Sequence, residues 1–380
     1  MTNVRKILLA ATNDLVTDHR VHKVASSLQK MGFEVTLLGR RFKKSGSLSR
    51  PYQTRRFRLL FNKGPLFYAF FNLRLFFHVL FGKYNVLVAN DLDTLPGITA
   101  AATLRKLPVI YDSHELFTEV PEVIKRPLVK RMWQRLEKLS LSHVHSAYTV
   151  SQSISECLSS VYRKEFTVIR NMPRFSPVTF IPGDRQMDFG DQQIILYQGA
   201  LNMGRGLEMI IQAMKYIPKS ILLLAGDGDK KNELQELVIR EDLGGKVVFL
   251  GRLSLSELHF LTPQADLGIS LEEDLGLSYH FALPNKLFDY IHAGIPVLVS
   301  DLPEMRNLVE NYKVGEVLRE RTPEAVAQQI NALFSAKDYR KIWEENASLA
   351  ARELCWENEE KKLAAIYAPF LEESGQLVVE

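Results

Sequence analysis

The fold of this chain is decided by one stretch, residues 281–300, which runs FALPNKLFDYIHAGIPVLVS. Its pattern predicts a short helix followed at once by a buried strand. Pro284 suits the first helical turn, where its missing N–H would have no partner anyway. Gly294 stands where a helix end favours a left-handed residue, and Pro296 prevents the helix from continuing. One apolar face of the helix is formed by Leu283, Leu287 and Ile291.

Two charged residues lie close to the predicted start of this helix. Lys286 and Asp289 are three residues apart, so they are neighbours on a helical surface. Free backbone N–H groups, the positive helix end and an ammonium group together favour an anion. The carboxylate one turn further on can accept hydrogen bonds from sugar hydroxyls. The pair suits a nucleotide diphosphate with its ribose, and the alternative is a solvated surface ion pair.

The length and composition of the chain indicate two globular domains. Its 380 residues fit two domains of roughly 150–200 residues, and its 46% hydrophobic content can supply both cores. Two cysteines, Cys157 and Cys355, form no disulfide framework, which indicates a reducing compartment. The apolar run Ile7–Ala11 is too short for a secretory signal. We therefore expect a cytoplasmic protein.

Charge is distributed unevenly between the two halves. Residues 1–190 carry 29 Lys/Arg and 14 Asp/Glu, a balance of +15, whereas residues 191–380 carry 19 and 30, a balance of −11. The basic half is a candidate for anionic partners, which include a membrane surface, a polyanionic glycan and nucleic acid. No nucleic-acid-binding motif accompanies it, so we expect no nucleic acid partner.

A basic loop and an aromatic segment follow each other in the first half. The loop, residues 40–58, contains no acid and eight cationic residues: Arg40, Arg41, Lys43, Lys44, Arg50, Arg55, Arg56 and Arg58. The segment 65–81 is rich in Phe, but it is too short and too polar to span a bilayer comfortably. Such a helix can lie in the interface of an anionic membrane. The alternative is an ordinary helix that covers a sheet.

Short apolar runs alternate with helical periodicity in both halves, which indicates parallel sheets wound with helices. In the first half, several predicted strands deliver polar residues to one sheet edge, where ligands bind in such folds. His114 follows a buried strand and is flanked by acids, so it is a candidate site residue. Asp18 has an alternative role as a helix cap. The other candidates at this edge are Asn13 and Asp91.

The second half restarts the pattern after residues 171–192, which hold three prolines, two glycines and no periodicity. We therefore expect a first domain at 1–172, a linker at 173–192, a second domain at 193–355 and a final helix at 356–380. Arg205 lies between Gly204 and Gly206, and glycines let a chain approach a ligand closely. Arg205 can meet the same phosphates as Lys286 if their loops converge.

Two Asp-x-Asp pairs have a spacing that fits a magnesium–diphosphate site, namely Asp91/Asp93 and Asp227/Asp229. The second pair lies in a glycine turn, where aspartates commonly serve the turn geometry. A lysine, an arginine and a helix end can neutralise a diphosphate without a metal ion. We therefore expect no metal and no cofactor.

Five motifs give the chain a specific resemblance: PNKLFDY at 284–290, AGIPV at 293–297, GDG at 226–228, VVFLG at 247–251 and DSHE at 112–115. Together they resemble family 4 glycosyltransferases of the GT-B fold, over nearly the whole chain and most strongly across residues 194–310. The resemblance implies an α/β architecture of two Rossmann-like, doubly wound domains that face an interdomain cleft. It also implies that the final helix, 356–380, crosses back to the first domain. It also implies metal-independent transfer of a hexose from a nucleotide-diphosphate sugar with retention of configuration.

The resemblance assigns roles to individual residues. It implies that Arg205 and Lys286 bind the diphosphate, that Asp289 binds the ribose, and that His114 faces the transferred sugar. The other donor-binding residues that it implies are Gly204, Asp227, Gly251, Arg252, Pro284, Asn285 and Leu287. A glycan or lipid-linked acceptor is expected on the side of Asn13, Asp18 and Asp91.

The chain departs from the family pattern at three places. The family usually has an arginine directly after the first-strand glycine and a lysine five residues on, whereas here Ala200 follows Gly199 and Arg205 holds the lysine position. Phe281 replaces a glutamate that usually contacts the donor sugar, and an acid among residues 272–274 is a candidate substitute. The glycine-rich turn after the first strand of the chain is absent.

The leading hypothesis is a transferase of cell-surface polysaccharide synthesis that works in the cytoplasm, at the inner face of the membrane. Two alternative functions remain open. A GT-B-fold sugar-nucleotide epimerase would convert its substrate without an acceptor. A catalytically silent subunit would bind sugar nucleotides without transfer.

Overall fold

The computed structural model describes residues 4–43, 45–176 and 189–371. The chain forms two compact units: unit 1 contains residues 1–171 and 358–380, and unit 2 contains residues 172–357. Lys44 of the basic loop, most of the predicted linker and the last residues of the predicted final helix lie outside the described residues.

Unit 1 is built on one parallel sheet. Its strands are β1 (Lys6–Ala10), β2 (Glu34–Arg40), β3 (Gln53–Phe57), β4 (Val86–Asn90), β5 (Val109–Ser113), β6 (Ser146–Thr149) and β7 (Thr167–Val168). They lie in the order β3-β2-β1-β4-β5-β6-β7. The helices of this unit are α1 (His19–Lys30), α2 (Gly64–Phe81), α3 (Leu95–Arg105), α4 (Pro121–Ile124), α5 (Pro127–Leu141) and α6 (Gln152–Tyr162).

Unit 2 repeats the plan with a second parallel sheet. Its strands are β8 (Gln193–Gln198), β9 (Ser220–Ala225), β10 (Val247–Gly251), β11 (Leu267–Ser270), β12 (Val297–Val299) and β13 (Gly315–Val317), in the order β10-β9-β8-β11-β12-β13. Its helices are α7 (Leu207–Ala213), α8 (Lys231–Arg240), α9 (Leu255–Leu261), α10 (Leu277–His280), α11 (Asn285–His292), α12 (Pro303–Tyr312), α13 (Pro323–Ser335) and α14 (Lys337–Glu353).

Both faces of the unit 2 sheet are covered. Along β8, Ile195 and Tyr197 join one apolar cluster and Leu196 between them joins the other. Neighbouring side chains of a strand point to opposite faces, so continuous apolar strands need helices on both sides. The prediction of two doubly wound parallel sheets is therefore confirmed.

The helix α15 (Trp356–Tyr367) belongs to unit 1 from Asn358 onward. The hydroxyls of Tyr367 and Tyr148 lie 3.2 Å apart, and the backbone N–H of Arg170 donates to Glu359 (2.8 Å). Tyr367 is fully buried. These residues therefore belong to the core of unit 1, although most of that unit ends almost 190 residues earlier in the chain.

Two local features differ from the predicted ones. The basic loop contains the strand β3, which pairs in parallel with β2 at the sheet edge; its cationic side chains are typical of an edge strand and hid it from a hydrophobic pattern. Pro284 stands just before α11 in an extended conformation, with φ −64° and ψ 136°. Its carbonyl accepts the N–H of Leu287 (3.1 Å), so Pro284 begins the helix as its cap.

Candidate functional site

The first turn of α11 is fixed on the unit 2 sheet by Tyr290. The tyrosine hydroxyl donates to the carbonyl of Leu196 (3.1 Å) and accepts the N–H of Gln198 (3.1 Å). Its ring covers Gly268, where a Cβ would come within 2.5 Å of ring atoms. These contacts hold Lys286 beside the carboxyl end of β8, with its Nζ 4.0 Å from the centre of the Tyr197 ring.

Two cations meet on one buried carboxylate. The Nζ of Lys286 donates to Oε1 of Glu272 at 2.8 Å, and Nη1 of Arg205 lies 3.6 Å from the same oxygen. Glu272 is fully buried, and its other oxygen accepts the hydroxyl of Ser270 (2.6 Å). The predicted convergence of the Arg205 loop and the Lys286 helix is therefore present, with a counter-ion between them.

Burial and charge act against each other in this cluster. Burial would raise the pKa of Glu272, but the charge and hydrogen bond of Lys286 outweigh it and hold that pKa below its ordinary value. Burial lowers the pKa of Lys286, although Glu272 opposes the shift. Among the described residues, Nε of Arg205 is buried and has no hydrogen-bond partner. A phosphate oxygen is the kind of acceptor that such a group lacks.

Glycines let the loops at the end of the unit 2 sheet approach one another. A Cβ at Gly226 would lie 1.8 Å from the carbonyl oxygen of Gly199, and one at Gly204 would lie 2.6 Å from Leu275. Gly204 also has a φ of +76°, which disfavours other residues. The side chain of Asp227 accepts the N–H of Gly228 (3.0 Å), so this aspartate serves its own turn.

Four further donor-binding candidates have other surroundings. The side chain of Leu287 is fully buried in the core below α11. Asn285 and Arg252 are exposed. Gly251 ends β10 with a φ of +69°. The structure gives no contact that joins Gly251 or Arg252 to the Lys286 cluster in the part of the chain that it describes.

Asp289 lies beside a cavity of about 220 Å³ between α9 and α11. Its Oδ2 accepts the amide of Gln198 (2.8 Å), and the hydroxyl of Thr262 donates to the same amide group's oxygen (2.9 Å). Gln198, His259 and His292 also line the cavity. The carboxylate therefore borders a recess of the same unit.

At the carboxyl edge of the unit 1 sheet, one histidine lies between two carboxylates. His114 approaches Oδ2 of Asp91 with Nδ1 (3.0 Å) and Oδ2 of Asp112 with Nε2 (3.1 Å). Asp112 also binds Arg20 (2.6 Å), which donates to the carbonyl of Ile169. Burial opposes the charged ring, but the two aspartates raise the pKa of His114 well above its ordinary value. The two aspartates therefore favour the protonated form of the His114 ring.

The acceptor-side candidates fall into two groups. Asp91, whose φ is +64°, also accepts the N–H of His114 (2.8 Å), so it holds the histidine. Asp18 caps α1 by accepting the N–H of Val21 (3.0 Å), which is its alternative role, and Asn13 donates to Asp18 (2.7 Å). Asp93, whose carboxylate accepts the hydroxyl of Thr12 (2.5 Å), is buried nearby, and burial raises its pKa to about 7.

The sequence predicted Glu272 only as a candidate contact of the donor sugar. Its carboxylate is occupied by protein groups and serves as the counter-ion of both cations. The position of Glu272 directly after a buried strand is the feature of the sequence that indicates a place for it in the site. In the described ranges, no group of three or more His, Cys, Asp and Glu side chains is arranged to hold a metal ion.

Comparisons with known proteins agree with this architecture. The model of the glycosyl transferases group 1 family matches residues 184–349, and that of glycosyltransferase family 4 matches residues 18–172. Each half of the chain therefore matches a glycosyltransferase family model, and the chain has the GT-B fold of family 4-like glycosyltransferases.

Individual relatives are distant. An uncharacterized glycosyltransferase of Methanocaldococcus jannaschii is 25% identical over 260 residues, which cover 63% of this chain and 64% of that relative, less than two thirds of its length. Sucrose-phosphate synthase of Thermosynechococcus elongatus superposes with a TM-score of 0.75 at 18% identity, over 96% of this chain and 98% of that one. The Anabaena protein HepE, solved with UDP-glucose, has a TM-score of 0.74 at 15% identity, over 96% and 99%.

Proposed function

We propose that this glycosyltransferase moves a hexose from a nucleotide-diphosphate sugar to a glycan or lipid-linked acceptor, with retention of configuration and without a metal ion. The observation that carries the proposal is the pairing of Lys286 and Arg205 on Glu272, beside the N-terminus of α11. Two cations and one carboxylate leave a net positive charge for a diphosphate, and the helix end adds to it.

The cations would act on the leaving group. As the bond from the sugar to the β-phosphate breaks, negative charge grows on the phosphate oxygens, and each preorganised cation there is worth about 3 kcal/mol of barrier. We assign no catalytic base, because in a retaining reaction of this kind the leaving phosphate can take the proton of the acceptor hydroxyl. A protonated His114 can donate a hydrogen bond but cannot accept a proton, so its role in this scheme is electrostatic.

The nucleoside would occupy the cavity beside Asp289. Its size is adequate for part of a nucleoside, and the carboxylate can accept hydrogen bonds from ribose hydroxyls. This placement separates the diphosphate, at Lys286, from the ribose, at Asp289, by one helical turn of α11.

A thermal-shift screen of UDP-, GDP-, ADP- and CDP-sugars tests the donor part of the proposal, because a ligand that binds the folded state raises its melting temperature. We expect one nucleotide class to raise it and the others to have little effect. The sugar nucleotide that binds is then incubated without an acceptor and with one. Sugar transfer only in the presence of acceptor supports the proposal; isomerisation of the donor alone indicates an epimerase, and binding without either reaction indicates a silent subunit.

The acceptor part of the proposal places unit 1 on the inner face of an anionic membrane, in surface polysaccharide synthesis. The helix α2 buries Phe67, Phe71, Leu75 and Val79. Its opposite side exposes a second apolar stripe of Leu66, Leu73, Phe77 and Phe81. Of the helices that the structure describes, α2 is also long and apolar enough to cross a membrane by length and composition, but its first stripe packs inside the unit.

An exposed apolar stripe next to a basic loop suits the headgroup region of anionic lipids. Sedimentation with phosphatidylglycerol vesicles is expected to retain the protein, and phosphatidylcholine vesicles are expected to retain less. The variant Phe77→Ser/Phe81→Ser should lose the binding. Val161→Ser, which changes an equally exposed apolar residue on α6, is the control and should keep it. Equal binding of both variants contradicts this part of the proposal.

A further inference from the structure

Arg321 lies behind the Lys286 cluster, between β13 and α13, and its guanidinium joins two consecutive carbonyls. Nη1 donates to the carbonyl of Glu272 (3.0 Å) and Nη2 to the carbonyl of Leu271 (2.9 Å). Nη1 also donates to the hydroxyl of Ser300 (2.7 Å), which itself donates to the carbonyl of Glu272 (2.7 Å). Few side chains other than arginine can hold three acceptors in one plane.

The segment that Arg321 holds is the one that carries the counter-ion. Leu271 and Glu272 follow the last residue of β11 and are both fully or almost fully buried. On the other side, the segment meets the Arg205 loop: the N–H of Glu273 donates to the carbonyl of Gly204 (2.9 Å). A Cβ at Gly206 would lie 2.2 Å from the carbonyl oxygen of Leu271. The segment is thus held between the Arg205 loop and Arg321.

We propose that Arg321 is a positioning residue of the donor site, which fixes the Leu271–Glu272 backbone and thereby sets where Glu272 holds Lys286 and Arg205. The role of Arg321 in catalysis rests on the proposed function. Its effect on the position of the Leu271–Glu272 backbone does not depend on any ligand. The residue Arg321 is exposed and its hydrogen bonds are only partly buried, so its replacement leaves no cavity in a core.

The chain offers a matched control two residues away. Arg319 is exposed in the same loop, and its backbone N–H donates to the side-chain oxygen of Gln329 (3.3 Å); the structure gives its guanidinium no hydrogen bond to the residues that it describes. We therefore compare Arg321→Gln with Arg319→Gln, which have the same change of charge. Arg321→Lys keeps the charge but loses the planar fork, and we expect it to fall between wild type and Arg321→Gln.

A first test needs no ligand. The coupling between Glu272 and Lys286 is measured by denaturant unfolding in a cycle of Glu272→Gln and Lys286→Met, first in wild type and then in the Arg321→Gln background. If Arg321 positions Glu272, the coupling falls to less than half. The coupling of Arg340 with Asp266, which lie 2.6 Å apart elsewhere in unit 2, should not change. An unchanged Glu272–Lys286 coupling overturns the inference.

A second test measures binding of UDP-glucose, GDP-mannose, ADP-glucose and CDP-glucose to the same variants. For any sugar nucleotide that binds wild type, Arg321→Gln should weaken binding roughly tenfold to a hundredfold, because displaced cations contact the diphosphate poorly. Arg319→Gln should stay within about twofold. Equal affinities for wild type and Arg321→Gln overturn the inference. If none of the four binds wild type, the proposed donor class fails, and the coupling measurement still decides the role of Arg321.

Discussion

The two sheets end in clusters of opposite charge pattern. At the carboxyl edge of unit 2, the carboxylate of Glu272 lies between Lys286 and Arg205. At the corresponding edge of unit 1, the imidazolium of His114 lies between Asp91 and Asp112. In each cluster the more numerous charges are opposite in sign to the net charge of that half of the chain, since residues 1–190 are basic and residues 191–380 are acidic. Net charge therefore describes the outer surface of each half and does not predict the charge at its sheet edge.

In both clusters the charged partners oppose the effect of burial on the pKa of the central group. Lys286 lowers the pKa of Glu272 although burial opposes it, so the unit 2 cluster remains an ion pair. In unit 1 the paired aspartates raise the pKa of His114, whereas burial raises the pKa of the nearby Asp93 to about 7. One cluster is built to offer positive charge to an anion, and the other to hold a histidine protonated.

The largest expected effect comes from removing the cation of the unit 2 cluster. Lys286→Met should lower turnover by a factor of about 10²–10³, because it removes stabilisation of the leaving diphosphate. It also leaves Glu272 buried without its closest partner, at a cost of about 3 kcal/mol or more in unfolding free energy. Glu272→Gln/Lys286→Met should recover most of that stability and none of the turnover. Full turnover in either variant contradicts the assignment of Lys286.

A smaller effect is expected when one carboxylate is removed from the unit 1 cluster. In Asp91→Asn, the pKa of His114 should fall toward its ordinary value, near 6.5. Activity should then decline more steeply between pH 6 and pH 8 than in the wild type, because Asp91 no longer helps to hold the ring protonated. The stability from its charge is complete below pH 6.5 and is lost only as pH rises through the raised pKa. Titration of the His114 ring by NMR checks both statements, with His143, an exposed histidine, as the internal reference.

A third prediction concerns stability rather than activity. Asp93 has a folded-state pKa of about 7 and an ordinary value near 4, so the folded state binds the proton more tightly than the unfolded state. Its contribution should fall by about 2 kcal/mol as pH rises from 5 to 7. Asp93→Asn should remove that slope. Glu137, another buried carboxyl with a pKa of about 7, adds a slope of the same sign, so the comparison is made in the Glu137→Gln background.

The smallest expected effect is that of chelation. If Lys286, Arg205 and the start of α11 neutralise the diphosphate, excess EDTA should leave the transfer rate unchanged. A rate that falls and recovers with added Mg²⁺ would show that the cationic cluster alone is insufficient. The variant Asp227→Asn provides a second measurement, because this aspartate belongs to the pair with the spacing of a metal site.

Local patterns predicted the parts of the site that depend on nearby residues. The alternation of strands and helices, the position of Lys286 near the start of α11, and His114 after β5 all follow from periodicity and from the rule that ligands bind at the carboxyl ends of parallel strands. The recess beside Asp289 did not follow, because it depends on Gln198, which is 91 residues away.

The contacts that complete the site join residues far apart in the chain. Arg321 reaches Leu271 and Glu272 across about 50 residues. Arg20 reaches Asp112 across 92. No helical or strand period connects such positions, and a buried ion pair looks in the sequence like separate surface charges. The strand β3 was missed for a related reason, since an edge strand with arginines lacks the apolar alternation of a half-buried one.

The position of α15 has a consequence for biosynthesis. Tyr367 lies in the core of the unit that begins the chain, so that unit cannot be finished until the ribosome has made the residues that complete it. All of unit 2 is translated before then. The second unit can therefore reach its final state first, whereas the first unit cannot be completed until α15 has left the ribosome and Tyr367 can pack beside Tyr148.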